Sequence, residues 1–149
     1  MTRLLVLAAF ALGLTAAAED KAPKGDAKGE LERFTGTWVG VSYVRDGKEV
    51  PKEEAEKLRL VVAGEKYTLT EGGEEIEGTH TVAPEKSPKQ IDAVRTKGPG
   101  KGDKLLGVYQ LTEDSFVVCF AAAGKDRPAE LKAKGGPGLR VLAFKREKK

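Results

Sequence analysis

The chain of 149 residues carries one histidine, His80, and one cysteine, Cys119, the two side chains best suited to act as a base, a nucleophile or a soft metal ligand. Zinc needs three or four protein ligands, and no second His or Cys is available to complete a set. A nucleophilic thiolate needs a nearby His or a helix N-terminus. Cys119 instead sits inside Ser115-Phe116-Val117-Val118-Cys119-Phe120, a strand-like run in which a free Cys behaves as a small buried hydrophobe. Alone, it forms no intramolecular disulfide. His80 alternates with Ile76, Gly78 and Val82 on one face of its run, while Glu75, Glu77, Thr79 and Thr81 take the other. A satisfied core imidazole is the expectation for it. The alternative, a general base, lacks a partner, because no Ser stands in a Gly-x-Ser-x-Gly turn. Glu53-Glu54 and Glu74-Glu75-Glu77 lie on charged faces without the desolvation that raises a catalytic carboxyl. The residues specify no catalytic centre, metal or cofactor.

Two polar segments merit separate treatment. Gly98-Pro99-Gly100-Lys101-Gly102-Asp103-Lys104 has the glycines of a phosphate cradle, but Asp103 occupies the place of the second Gly and no strand-loop-helix unit surrounds it. It reads as a turn, as does Gly135-Gly136-Pro137-Gly138 before the last strand. Gly124-Lys125-Asp126-Arg127-Pro128 is a polar loop between apolar segments. Arg127 either caps a barrel mouth and receives an anionic group, or pairs with Asp126 or with backbone carbonyls within a turn.

The elements that position these groups are short strands. Thr37–Val44 ends at Asp46-Gly47, a dipeptide suited to the positive φ angles of a tight hairpin, and Lys48–Val50 returns. Pro51–Leu58 is the one helical stretch, with Pro at its first position and good helix formers behind it. Arg59–Ala63, Lys66–Thr70, Glu74–Val82, Gln90–Thr96, Lys104–Leu111, Ser115–Phe120 and Leu139–Lys145 follow, separated by Gly, Pro, Asp and Glu turns. About eight strands at hairpin spacing predict an all-β antiparallel meander, closed as a barrel or folded as a sandwich.

Ahead of this domain, Arg3 precedes an apolar run from Leu4 to Leu14, and Ala16-x-Ala18 follows. The run is shorter than the roughly 20 residues that span a bilayer. It reads as a signal peptide over residues 1–18, cut between Ala18 and Glu19, with the product exported to the periplasm or beyond and no transmembrane segment left after cleavage. Residues 19–29 carry no large apolar side chain and are expected to be a disordered tether, with the domain over 30–146 and a basic tail at 147–149. The net charge is +3, or +2 without Arg3, and Lys and Arg are interleaved with Glu and Asp. Only Lys145-Arg146-Glu147-Lys148-Lys149 is a basic cluster, so a nucleic-acid partner is not expected. The expected state is a monomer.

Gly36-Thr37-Trp38, opening the first strand, resembles the first signature of lipocalins. The resemblance implies that Trp38 closes the barrel floor and that a cation from the last strand, Arg140 or else Arg146, lies across its indole. The chain lacks the lipocalin Thr-Asp-x-x-Tyr motif, disulfide and post-barrel helix, so only the architecture carries over. A closer resemblance spans Leu31 to Arg146. Gly36-Thr37-Trp38, Asp46-Gly47-Lys48, Pro88-Lys89-x-Ile91-Asp92, Leu106-Gly107-Val108-Tyr109, Cys119-Phe120 and Asp126-Arg127-Pro128 recur in this order in an uncharacterised family of small exported domains abundant in planctomycete bacteria. Glu130-Leu131 departs from that family's Phe after Arg-Pro. The implied fold is a small lipocalin-like β-barrel of about eight strands with one short helix, in which Gly36, Trp38, Cys119 and Arg140 are structural; no activity comes with it. Two functions then compete. One is a module that binds a small apolar or amphipathic ligand in the barrel mouth, with His80, Tyr109 and Arg127 as its polar groups. The other is a filled barrel that meets an extracytoplasmic protein or an envelope polymer with its outer surface. An open cavity above about 300 Å³ with converging polar groups marks the first.

Overall fold

The structure, a computed structural model, describes residues 27–148. The expected signal peptide, its cleavage site and most of the tether lie outside the described residues. Among these residues the chain forms helix α1 (Ala27–Phe34), strands β1 (Gly36–Arg45) and β2 (Lys48–Glu49), helix α2 (Lys52–Ala55), and strands β3 (Arg59–Ala63), β4 (Lys66–Glu71), β5 (Glu74–Ala83), β6 (Lys89–Lys97), β7 (Lys104–Leu111), β8 (Ser115–Ala121) and β9 (Leu139–Arg146). Among the described residues no helix is long and apolar enough to cross a membrane.

Every strand pairs antiparallel with its neighbour in the order β1-β3-β4-β5-β6-β7-β8-β9, and β9 returns to β1, Trp38 opposite Arg146 and Arg45 opposite Arg140. The meander is therefore a closed eight-stranded barrel of lipocalin-like form, with β2 a two-residue appendage of β1. Closure leaves no long exposed strand edge. Asp46 and Gly47 both take positive φ, 54° and 81°, and supply the twist a two-residue hairpin needs.

Alternation along each strand sends one row of side chains inward. In β5 the row is Ile76, Gly78, His80 and Val82, all buried. Trp38, Phe116, Tyr109 and Phe144 belong to the same core, and half-buried Phe120 packs against it. β1 slips register between Gly40 and Ser42, a bulge that turns Tyr43 and Arg45 inward, opposite Leu142 and Arg140. Beyond Val39, β1 no longer pairs with β3. Ala55 and Leu58, both buried, fill that gap and press on Gly40, where a Cβ would lie 2.8 Å from the Leu58 Cβ and collide with the Ala55 carbonyl.

A second, smaller cluster lies outside the barrel wall. Val44, Val108, Cys119 and Val141 point away from the core and are covered by Leu131 from the β8–β9 connection and by Leu139 at the start of β9. Cys119 is fully buried there, and burial raises its thiol above the ordinary range. It is a packing residue, as its sequence setting implies. The helix expected over Pro51–Leu58 is present but shorter, Lys52–Ala55, and α1 is an addition. It takes in Ala27–Gly29 from the segment expected as tether, because Phe34 and Glu30 at its far end are anchored in the barrel.

Candidate functional site

The two ends of the barrel differ in construction. At one end α1 lies across the opening as a plug. Phe34, fully buried, packs on Phe116 at 4.8 Å, Tyr109 at 5.2 Å and His80 at 5.7 Å between ring centroids. The Trp38 indole Nε1 donates to the Phe34 carbonyl at 2.9 Å. Arg146 stands over the Trp38 ring, its guanidinium carbon 4.3 Å from the centroid. The same guanidinium donates to the carbonyls of Arg33 at 2.7 Å, Thr35 at 3.0 Å and Glu113 at 2.8 Å, satisfying acceptors at the α1 C-terminus with the charge its dipole favours. Gly36 makes room for it, since a Cβ there would lie 2.7 Å from Arg146 Nη1 and the backbone φ is 139°. The cation on Trp38 is thus Arg146. Arg140, the first choice from the sequence, is at the opposite end of β9, because an antiparallel partner brings the end of the last strand to the start of the first.

Glu30 fixes the plug. Its carboxylate, 6% exposed, accepts from the Tyr109 hydroxyl at 2.6 Å, Arg33 Nη1 at 2.9 Å and Lys89 Nζ at 3.1 Å. Burial pushes this carboxyl up, but the bonds from Tyr109 and Lys89 and the charges of Lys89 and Arg33 outweigh it, so its pKa lies below the ordinary 4.5. Burial and the bond to Glu30 together hold the Tyr109 phenol well above its ordinary range.

The other end is open. A cavity of about 80 Å³ runs from a floor of Phe34, Phe116 and Phe144 to a mouth where Leu69, Leu105 and Phe120 are only half-buried. Its walls are aliphatic and aromatic. Polar groups gather at the mouth, where Glu71, Arg95 and Arg140 line the cavity together. Arg45, in the same inward register, pairs with Glu71 at 3.0 Å and donates to the Tyr43 hydroxyl at 3.2 Å.

Of the three polar residues proposed for the mouth, only His80 lines the cavity. Its Nε2 donates to the Gly64 carbonyl at 3.0 Å, and desolvation lowers its pKa below 6.5, so it is a neutral, satisfied core imidazole. Tyr109 belongs to the plug. Arg127 lies on the barrel's outer side, pairing with Asp92 at 2.7 Å and donating to the carbonyls of Ile91 at 3.1 Å and Gly107 at 3.0 Å. It clamps β6 to β7 in the turn-like role, with Asp92 in place of Asp126. Sequence reasoning missed Arg45, Glu71 and Arg95 and placed Arg140 at the wrong end. The available signal was register: Ile91-x-Ala93-x-Arg95 and Arg140-x-Leu142-x-Phe144 each carry a guanidinium at the end of an inward apolar row.

Fold and cavity define a small lipocalin-like barrel with a blind apolar cup, plugged at one end and rimmed by arginines at the other. No protein-family model, curated protein or solved structure matches the chain.

Proposed function

We propose that this chain is an exported, non-catalytic binding module, monomeric, whose barrel mouth takes a compact apolar or amphipathic ligand. One observation carries the reading: an apolar cup, closed by aromatic rings below, opens to solvent between half-buried Leu69, Leu105 and Phe120. Export rests on the apolar leader and Ala16-x-Ala18, and the resemblance of its motif order to exported planctomycete domains is in keeping with that reading. A non-catalytic role is supported by placement, since His80 faces the barrel interior and Cys119 the outer cluster, on opposite sides of the wall.

Size narrows the ligand. A single water needs about 10–15 Å³ of such space, so a cavity of about 80 Å³ holds a handful of waters or a short hydrocarbon segment. A long acyl chain, a quinone or an isoprenoid is not enclosed. The same volume falls below the roughly 300 Å³ of ordinary ligand pockets and favours a second reading, a filled barrel that meets its partner with the outer surface. Methyl NMR separates the two. Titration with hexan-1-ol is expected to give saturable shifts at Leu69, Ile76, Ile91, Leu105 and Leu142, absent in an Ala93→Phe variant that fills the cup. Shifts that neither saturate nor centre on those residues reject the binding module and leave the filled barrel.

A further inference from the structure

We infer that the cup takes its ligand tail first and holds an anionic head between Arg95 and Arg140, so that the ligand class is a compact amphiphilic monoanion such as a short-chain carboxylate. The inference rests on the cup reading and adds the charge of the ligand. Three guanidiniums in the inward register, Arg45, Arg95 and Arg140, share the mouth with one carboxylate, Glu71. Arg45 and Arg140 are direct partners across β1 and β9, an arrangement of like charges that is unfavourable unless something neutralises it. Glu71 neutralises Arg45. The Arg140 side chain meets no carboxylate and no hydrogen-bond acceptor among the described residues, and the Arg95 side chain donates only to the Pro99 carbonyl at 3.1 Å.

The carboxylate closest in chemistry to a competitor is Asp103, which flanks Gly100 opposite Arg95 but forms no ion pair with it within 4 Å. The mouth therefore retains an excess of positive charge, centred on Arg140, above an apolar well. A planar fork of N–H donors is suited to a carboxylate, and the cup below it accepts only hydrocarbon. A neutral ligand leaves Arg140 as it is, and a cationic head meets repulsion. An anion with a short tail satisfies both regions at once.

The test compares hexanoate, hexan-1-ol and hexylammonium at low ionic strength by methyl and arginine Nε–H NMR on the intact chain. Hexanoate is expected to bind about tenfold more tightly than hexan-1-ol, the ratio one charge-assisted hydrogen bond supplies, and hexylammonium more weakly than either. Added salt should erode the advantage of hexanoate alone. Arg140→Gln and Arg95→Gln should each remove most of that advantage and leave hexan-1-ol binding unchanged, whereas Arg127→Gln, on the outer side, should alter neither. Hexanoate binding no tighter than hexan-1-ol, or binding insensitive to both rim variants, overturns the anion site and leaves the cup standing. Failure of all three probes to shift the lining methyls overturns the cup itself, and the anion site with it.

Discussion

Replacing Trp38 tests how the plugged end is built. The side chain is fully buried, its Nε1 donates to the Phe34 carbonyl at 2.9 Å, and its ring carries the Arg146 guanidinium at 4.3 Å. Truncating a buried Trp to Ala costs about 3–5 kcal/mol from lost burial and the cavity left behind. The orphaned Phe34 carbonyl adds about 1–3 kcal/mol where water cannot reach it, and the lost cation–π contact about 0.5–2 kcal/mol. These contributions share atoms and do not sum, so Trp38→Ala is expected near the top of the truncation range, about 4–5 kcal/mol. A domain of this size has about 5–15 kcal/mol in total, so much of the variant will be unfolded. Trp38→Phe keeps a ring on Phe116 and loses the donor, and should cost about 1–3 kcal/mol. Urea unfolding followed by far-UV circular dichroism measures both, because the chain's single Trp is removed with the mutation. A loss below about 1 kcal/mol for Trp38→Ala with an unchanged m value would refute the plug as described.

Three further outcomes follow from the same contacts. The Glu30 carboxyl has its pKa lowered in the folded protein, so its stabilisation is complete above the ordinary value of 4.5 and is lost as pH falls through the lower folded value; the gap in urea midpoint between the native chain and Glu30→Gln should shrink over that acid window and stay constant above it. His80 also has a lowered pKa, so an imidazole titration by NMR should place its midpoint below 6.5, and a midpoint at or above that value contradicts its burial against Phe34 and Tyr67. Gly40→Ala forces a Cβ against Ala55 and Leu58 and should destabilise the barrel by about 1–3 kcal/mol while exposing the α2 segment to faster amide exchange; a silent substitution rejects the packing of α2 on β1.

Strand positions were legible because turn residues and period-two alternation agree along the chain. Glu74–Val82 was expected and Glu74–Ala83 is observed; Ser115–Phe120 extends by one residue to Ala121. The burial of His80 and Cys119 followed from the same alternation. Helix α1 was not legible, because eight residues with an internal Gly29 have little helical tendency alone and are ordered by docking Phe34 and Glu30 into the barrel end. Of the two cations the sequence offers for Trp38, Arg140 comes first and Arg146 second, and the structure selects Arg146. Both lie in the inward row of β9, and only closure of that strand antiparallel to β1 decides which one reaches Trp38. For Arg127 the turn alternative, with bonds to backbone carbonyls, is the one observed, but its carboxylate partner Asp92 lies far away in sequence, and only the β6–β7 pairing brings Asp92 within reach.

Isotope-filtered nuclear Overhauser contacts between unlabelled hexanoate and the labelled protein test the central claim most directly. The terminal methyl is expected to contact Ile91, Ala93, Leu142 and the Phe116 ring, with the carbons next to the carboxylate near Leu105 and the side chains of Arg95 and Arg140. Contacts at the exposed Val41 and Val61 on the outer wall, with none inside the barrel, would contradict a ligand-binding cup.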